Sequence, residues 1–203
     1  MSFHKLDADR FNGLIDRLRQ AGFADDDIAW SESVSEPDTA EAFAFETVSV
    51  ICYAGLRHSV AAGLYCRVVE ALRADEGAAS VVEDPIKASA IDHVWMNRHS
   101  LLTAYQASKN KVEFCGNLPS INDISKFHLA KCLGADVAKP DAHLTKLAKG
   151  HGETVQAMCD RLAGQSGLRS TTVDLLLWRA CSEQILDPHT GVIHLPQEVR
   201  HEA

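Results

Sequence analysis

Apolar positions recur at helical spacing along most of the chain. In residues 3–21, Phe11, Leu14, Ile15 and Leu18 share one stripe and Gly22 follows, which predicts an amphipathic helix with a glycine stop. A polar, acidic stretch comes next and ends in SEPDTAE (35–41), where Asp38 and Glu41 have the spacing of a capping box. The helix predicted to follow, over 39–54, carries Phe43, Thr47, Val50, Ile51 and Ala54 on one side. Gly55 separates it from another over 59–74. Asp84-Pro85 opens a further pattern that runs through Ile91, Val94 and Trp95 to Leu101, Leu102 and Tyr105. Residues 109–117 read as the end of a helix, 123–133 as a helix stopped by Gly134, and 141–149, 153–163 and 171–186 as three more. In the last of these, Thr171 and Asp174 again lie near capping-box spacing. DPHTGVIHLPQ (187–197) predicts a short extended piece. There is no hairpin alternation, internal repeat or heptad run, so the expected fold is all-α with short connections.

Composition narrows the class without naming it. The 203 residues are 46% hydrophobic and 24% charged, enough for one domain or two lobes. A net charge of -8 excludes a protein that coats nucleic acid nonspecifically, yet permits a small basic face. Residues 126–149 are such a place, with Lys126, Lys131, Lys139, Lys146 and Lys149 against Asp136 and Asp141. No basic start leads into an apolar run near the N-terminus, and no stretch reaches the ~20 apolar residues a membrane span needs, so neither signal peptide nor membrane contact is expected. The six cysteines form no CxxC pair and the ten histidines no HExxH, which argues against an iron–sulfur cluster or zinc site and for reduced thiols in the cytoplasm.

Residues 118–148, LPSINDISKFHLAKCLGADVAKPDAHLTKLA, hold the candidate chemistry. LPSIN makes a tight turn between two helices, and a hairpin followed by a helix N-terminus offers backbone N–H groups to a phosphate. The chain then runs extended through ADVAKP. Pro140 disfavours helical geometry at Lys139, and Asp141 is placed to cap the amides near His143 and Leu144. Asp141 is therefore either a plain helix cap or a chemical centre that also caps.

Here the chain resembles the helix-hairpin-helix DNA glycosylases, which include endonuclease III and the adenine, 8-oxoguanine and alkyl-base glycosylases. Their pattern is L-P-G-V/I-G, a helix, a Gly/Pro-rich loop, then an aspartate, often as V-D-x-H, opening a helix. This chain has Leu118-Pro119-Ser120-Ile121-Asn122, Gly134 and, seven residues after it, Asp141 in Lys139-Pro140-Asp141-Ala142-His143. The likeness covers residues 117–148 and extends in outline to 45–72, which look like the family's helix, DNA-inserting turn and next helix. It implies one glycosylase-like unit over 1–203 with a cleft between two helical lobes, 1–75 plus 150–203 and 76–149. It also implies double-stranded DNA with a damaged or modified base as partner, action as a monomer, and no cofactor beyond a monovalent cation at the hairpin carbonyls. Such an enzyme flips the base out and uses a carboxylate, here Asp141, to stabilise positive charge on the sugar as the N-glycosidic bond breaks.

Two departures shape the expectation. Ser120 and Asn122 replace both hairpin glycines, which alters phosphate contact. The lysine nucleophile of bifunctional members falls here on Asp123 or Ile124, and Lys126 lies two or three positions on, so a monofunctional enzyme is expected. A bifunctional enzyme using Lys126 and a non-catalytic DNA-binding module are the alternatives. Candidate DNA contacts are Ser120, Ile121, Asn122, Lys131, Lys139 and His143, with Leu56 as wedge and Arg57 beside it. Trp30, Tyr53 and Trp95 are candidate base-pocket walls. Each also has a plainer reading, as core packing, an interhelical turn or solvated lysine.

Overall fold

A computed structural model describes residues 3–194. Among them are eleven α-helices, one 3-10 turn (Ala78–Ser80) and no strand. The chain divides into two compact units, Met1–Val34 with Asp136–Ala203, and Ser35–Ala135. This differs from the division expected above. Residues 40–75 belong with the middle of the chain because α3 (Ala40–Tyr53) packs on α5 (Pro85–Met96), α6 (Arg98–Ala107) and α8 (Ser125–Cys132). Asp141 and its helix, α9 (Ala142–His151), fall in the unit of the chain ends, where α9 packs on α10 (Val155–Ser166) and α11 (Ser170–Ser182).

The unit of the chain ends is built on the apolar stripe of α1 (Ala8–Gln20). Asp7 caps α1 by accepting from Arg10 N at 3.0 Å, and Phe11, Leu14, Ile15 and Leu18 are buried with Leu144, Leu147, Met158, Leu162, Leu176 and Leu177. The unexpected member is α2 (Ala24–Ser33). It lies in the acidic stretch and has no apolar stripe. Ala24 and Ile28 reach the apolar core, and polar contacts with α11 add to them: Arg179 pairs with Asp27 at 2.9 Å, and Thr172 Oγ1 donates to Glu32 at 2.5 Å. The tail makes a turn closed by one bridge, Leu186 to Ile193, and His4 N donates to Thr190 O at 2.8 Å. Residues 195–197 of the predicted extended piece lie outside the described residues.

In the middle unit, α3 and α4 (His58–Arg73) pack side by side, and Ala44, Val48, Ile51, Val68, Leu72, Ile91 and Val94 form a core. The cap of α3 is Thr39, whose Oγ1 accepts from Ala42 N at 3.1 Å, one residue later than the capping box predicted; Glu41 pairs with Arg73 instead. Asp84 caps α5, accepting from Ile86 N and Lys87 N at 2.9 and 3.2 Å. The short helix α7 (Lys111–Gly116) lies against α8, and buried Tyr105 donates to Leu133 O at 2.8 Å where α8 ends. No helix among the described residues is long and apolar enough to cross a membrane.

Candidate functional site

Asp141 is the N-cap of α9. Its Oδ1 accepts from His143 N and Leu144 N, each at 2.9 Å, with backbone φ −76° and ψ 179°. The second oxygen accepts no hydrogen bond from the described residues, and the side chain is half-buried rather than sealed. Its charge is felt nearby: burial, then the Asp141 and Asp187 carboxylates, push the Cys181 thiol up to about 12, so Cys181 stays protonated and is no nucleophile.

The loop ahead of Asp141 is braced at nearly every residue. Asp136 Oδ1 accepts from Thr171 N at 2.8 Å. Ala138 N donates to Gln156 Oε1 at 2.9 Å, and Lys139 N to Asp174 Oδ1 at 2.7 Å. Gln156 in turn donates to Asp160 at 2.7 Å, which fixes the end of its amide that faces the loop. The predicted box of Thr171 and Asp174 is thus replaced: both groups serve the loop, and α11 begins at Ser170. Asp136, Gln156 and Asp174 were missed by sequence reasoning, because nothing local marks a side chain that acts on a loop 15 or more residues away. Lys139 and His143 flank Asp141 as predicted. His143 Nδ1 is buried with no partner in the structure.

The hairpin region lies in the other unit. Ser120 adopts a left-handed φ of 61° at its exposed apex, the backbone role expected of a glycine. Asn122 does something else: its Oδ1 accepts from Ile124 N and Ser125 N at 2.9 and 2.8 Å, while Asn122 N donates to Ser125 Oγ at 2.8 Å. The amides at the start of α8 are therefore closed from within. Among the described residues only Ser120 N and Asp123 N in this turn lack an acceptor. Ile121 turns inward onto the apolar core. Lys126 pairs with Asp123 at 2.8 Å, a contact that holds the Asp123 carboxyl below its usual range, and its stem lies against Gly116. Lys131, a candidate DNA contact by sequence, is only 8% exposed.

Between α3 and α4 the turn is exposed from Gly55 onward. Leu56 is 40% exposed, Arg57 stands beside it, and Lys87 Nζ donates to Ala54 O at 2.6 Å, tying the turn to α5. The three aromatics fall in different units. Tyr53 and Trp95 pack on the core of the middle unit, where Trp95 stacks on Phe45 at 5.3 Å and carries the Arg98 guanidinium at 4.2 Å. With a ring on one side and a guanidinium near its face, Trp95 is poorly placed to stack on a base. Trp30 is 49% exposed on α2, in the other unit.

What the arrangement around Asp141 can do chemically is specific. A carboxylate fixed through one oxygen, with the other unengaged, can steady an adjacent cationic centre or orient a water. Comparison with protein-family models, curated proteins and solved structures gave no match for this chain.

Proposed function

We propose that the chain is a monofunctional DNA glycosylase of helix-hairpin-helix type, which extrudes a modified or damaged base and hydrolyses its N-glycosidic bond with Asp141 at the sugar. The observation that carries this reading is the division of work within one carboxylate. Oδ1 is spent on two amides of α9, while the other oxygen is unengaged and within reach of solvent at the end of a braced loop. As the base departs, positive charge grows on the deoxyribose, and a fixed negative oxygen stabilises that charge and orients the attacking water. Extrusion costs a few kcal/mol. Leu56, apolar and exposed on a tight turn beside Arg57, suits the role of the wedge that fills the vacated stack.

Two features bear on affinity and on the alternatives. With most hairpin amides closed by Asn122 and Ser125, phosphate contact there falls to the amides of Ser120 and Asp123, so the hairpin grips DNA more weakly than a glycine hairpin would. Lys126 is engaged by Asp123 at 2.8 Å, so its amine would have to leave that contact to attack a sugar, and this supports the monofunctional reading. The same step serves repair of damaged DNA or defence against DNA with modified bases.

The test is incubation with oligonucleotides and phage DNAs carrying different modified bases, with free bases identified by mass spectrometry. The reading expects release of at least one base by the native chain and none by Asp141→Asn. DNA binding without release from any substrate would instead assign a non-catalytic binding module. Borohydride trapping of a covalent adduct, lost in Lys126→Ala, would assign the bifunctional chemistry.

A further inference from the structure

We propose that Asp174 is a positioning residue for Asp141, an inference that rests on the catalytic reading above. Asp174 is 3% exposed in the first turns of α11 yet does not cap that helix; its Oδ1 accepts from Lys139 N at 2.7 Å. The place of that bond in the chain is what matters. Pro140 has no N–H, and Asp141 N turns back onto Lys139 O at 2.8 Å. The Lys139 amide is therefore the last main-chain donor before Asp141 that can be held by another element. Proline fixes its own φ, so an anchor at Lys139 is passed stiffly to the next residue. Gln156, a neutral side chain, holds Ala138 one residue earlier. At the residue that governs Asp141 a buried carboxylate does the holding, and a charged acceptor makes the shorter, stronger bond. Asp174 thus sets where the unengaged oxygen of Asp141 points, without touching DNA itself.

The experiment compares the native chain with Asp174→Asn, which keeps the acceptor oxygen; Asp174→Ala, which removes it; and Asp174→Ser, which keeps a polar group one atom short of the Lys139 amide. Three quantities are read: the single-turnover rate of base release on whichever substrate the panel identifies, the Kd for a duplex containing a tetrahydrofuran abasic analogue, and amide hydrogen exchange at His143 and Leu144. Asp174→Ala and Asp174→Ser are expected to slow release by roughly 10- to 100-fold. They leave Kd within about twofold and speed exchange at both amides, because the cap they bond to has lost its aim. Asp174→Asn restores most of the rate and most of the protection. If Asp174→Ala does not fold, the serine and asparagine variants decide. Unchanged rate and exchange in Asp174→Ser overturns the proposal, as does a failure of asparagine to restore either. A Kd that weakens in step with the rate overturns it too. Altered exchange in a chain whose native form releases no base from any substrate sinks the glycosylase reading and leaves the positioning intact.

Discussion

Asp84 and Asp141 occupy different units and begin their helices in the same way. Each is followed by amides at the second and third positions that its Oδ1 accepts: Ile86 and Lys87 for Asp84, His143 and Leu144 for Asp141. Backbone φ is −76° at both. What differs is the surroundings. Asp84 is fully on the surface behind Glu83, whereas Asp141 is half-buried behind a loop braced by Asp136, Gln156 and Asp174. A cap contributes to its helix wherever it sits, so capping cannot explain the extra brace. The comparison teaches that the candidate chemistry lies in how the aspartate is held from behind, and that the local turn is common property.

The strongest way to break this comparison is to change both aspartates alike. Asparagine caps helices about as well as aspartate, so neither Asp84→Asn nor Asp141→Asn should move the melting temperature by more than about 2 °C. Base release should fall at least roughly 10³-fold in Asp141→Asn and stay at the native rate in Asp84→Asn. Equal rates in both variants would reduce Asp141 to another Asp84.

The approaches to the two caps should also differ. Gly134, ahead of Asp141, has φ 85°, and a Cβ there would run into Glu36 N and Ser35 C, both rigid backbone. Gly77, ahead of Asp84, has φ 74°, but its Cβ would meet only the Asp92 side chain at 3.7 Å, ordinary contact. Gly77→Ala carries the left-handed penalty alone, about 1 to 2 kcal/mol. Gly134→Ala adds displacement of backbone and should cost about 3 kcal/mol or more, measured by urea unfolding at equal protein concentration.

How far the sequence foretold this molecule depends on what holds each part. Helices secured by an apolar stripe, such as α1 and α3, were visible because the stripe is written at regular spacing. The helix α2 was not, since it has no regular stripe and much of its hold is an ion pair and a hydroxyl contact with residues about 140 to 150 positions away. Asp141 was legible as a cap from Pro140 and the polarity around it. Its brace was not, because Gln156 and Asp174 meet the loop only once the chain has folded. Lys131 read as a basic contact by composition alone; burial on the inner side of α8 is a property of packing.

The far ends of the two helices separate the regions again. The α9 helix ends at His151, whose Nε2 accepts from Leu6 N at 3.3 Å and whose Nδ1 lies 3.2 Å from Arg161 Nη2, itself paired with Glu153. A ring nitrogen that accepts carries no proton, so with Nε2 accepting from Leu6 N the ring is neutral; burial, then the Arg161 charge, lowers its pKa from the ordinary 6.5 to about 4. The unfolded chain therefore takes up a proton near pH 6.5 that the folded chain refuses until about pH 4. This contribution to stability is fully present above pH 6.5 and is lost as pH falls towards 4. It should amount to about 3 kcal/mol, seen as the part of the pH dependence of urea unfolding that His151→Gln removes. α5 ends at Met96 with no buried histidine in its last turn.

Asn122 is the third side chain to close a helix start by the same two-amide pattern, and it offers the finest test of what such a cap withholds. Its Oδ1 occupies the Ile124 and Ser125 amides at the exposed turn that the proposed function lays against a DNA phosphate. Glycine is nearly as good at a cap position as asparagine, so Asn122→Gly should cost only a few tenths of a kcal/mol in stability. It would, however, free both amides towards solvent. Affinity for a tetrahydrofuran-containing duplex, followed by fluorescence anisotropy, should rise about two- to fivefold, equivalent to less than about 1 kcal/mol. Neutral amides displace no counterion from DNA, so the gain should be similar at low and high salt. A gain that vanished with added salt would point to a rearranged Lys126 instead, freed from Asp123 by the loosened turn. An unchanged affinity at every salt concentration would mean that this turn faces no phosphate at all.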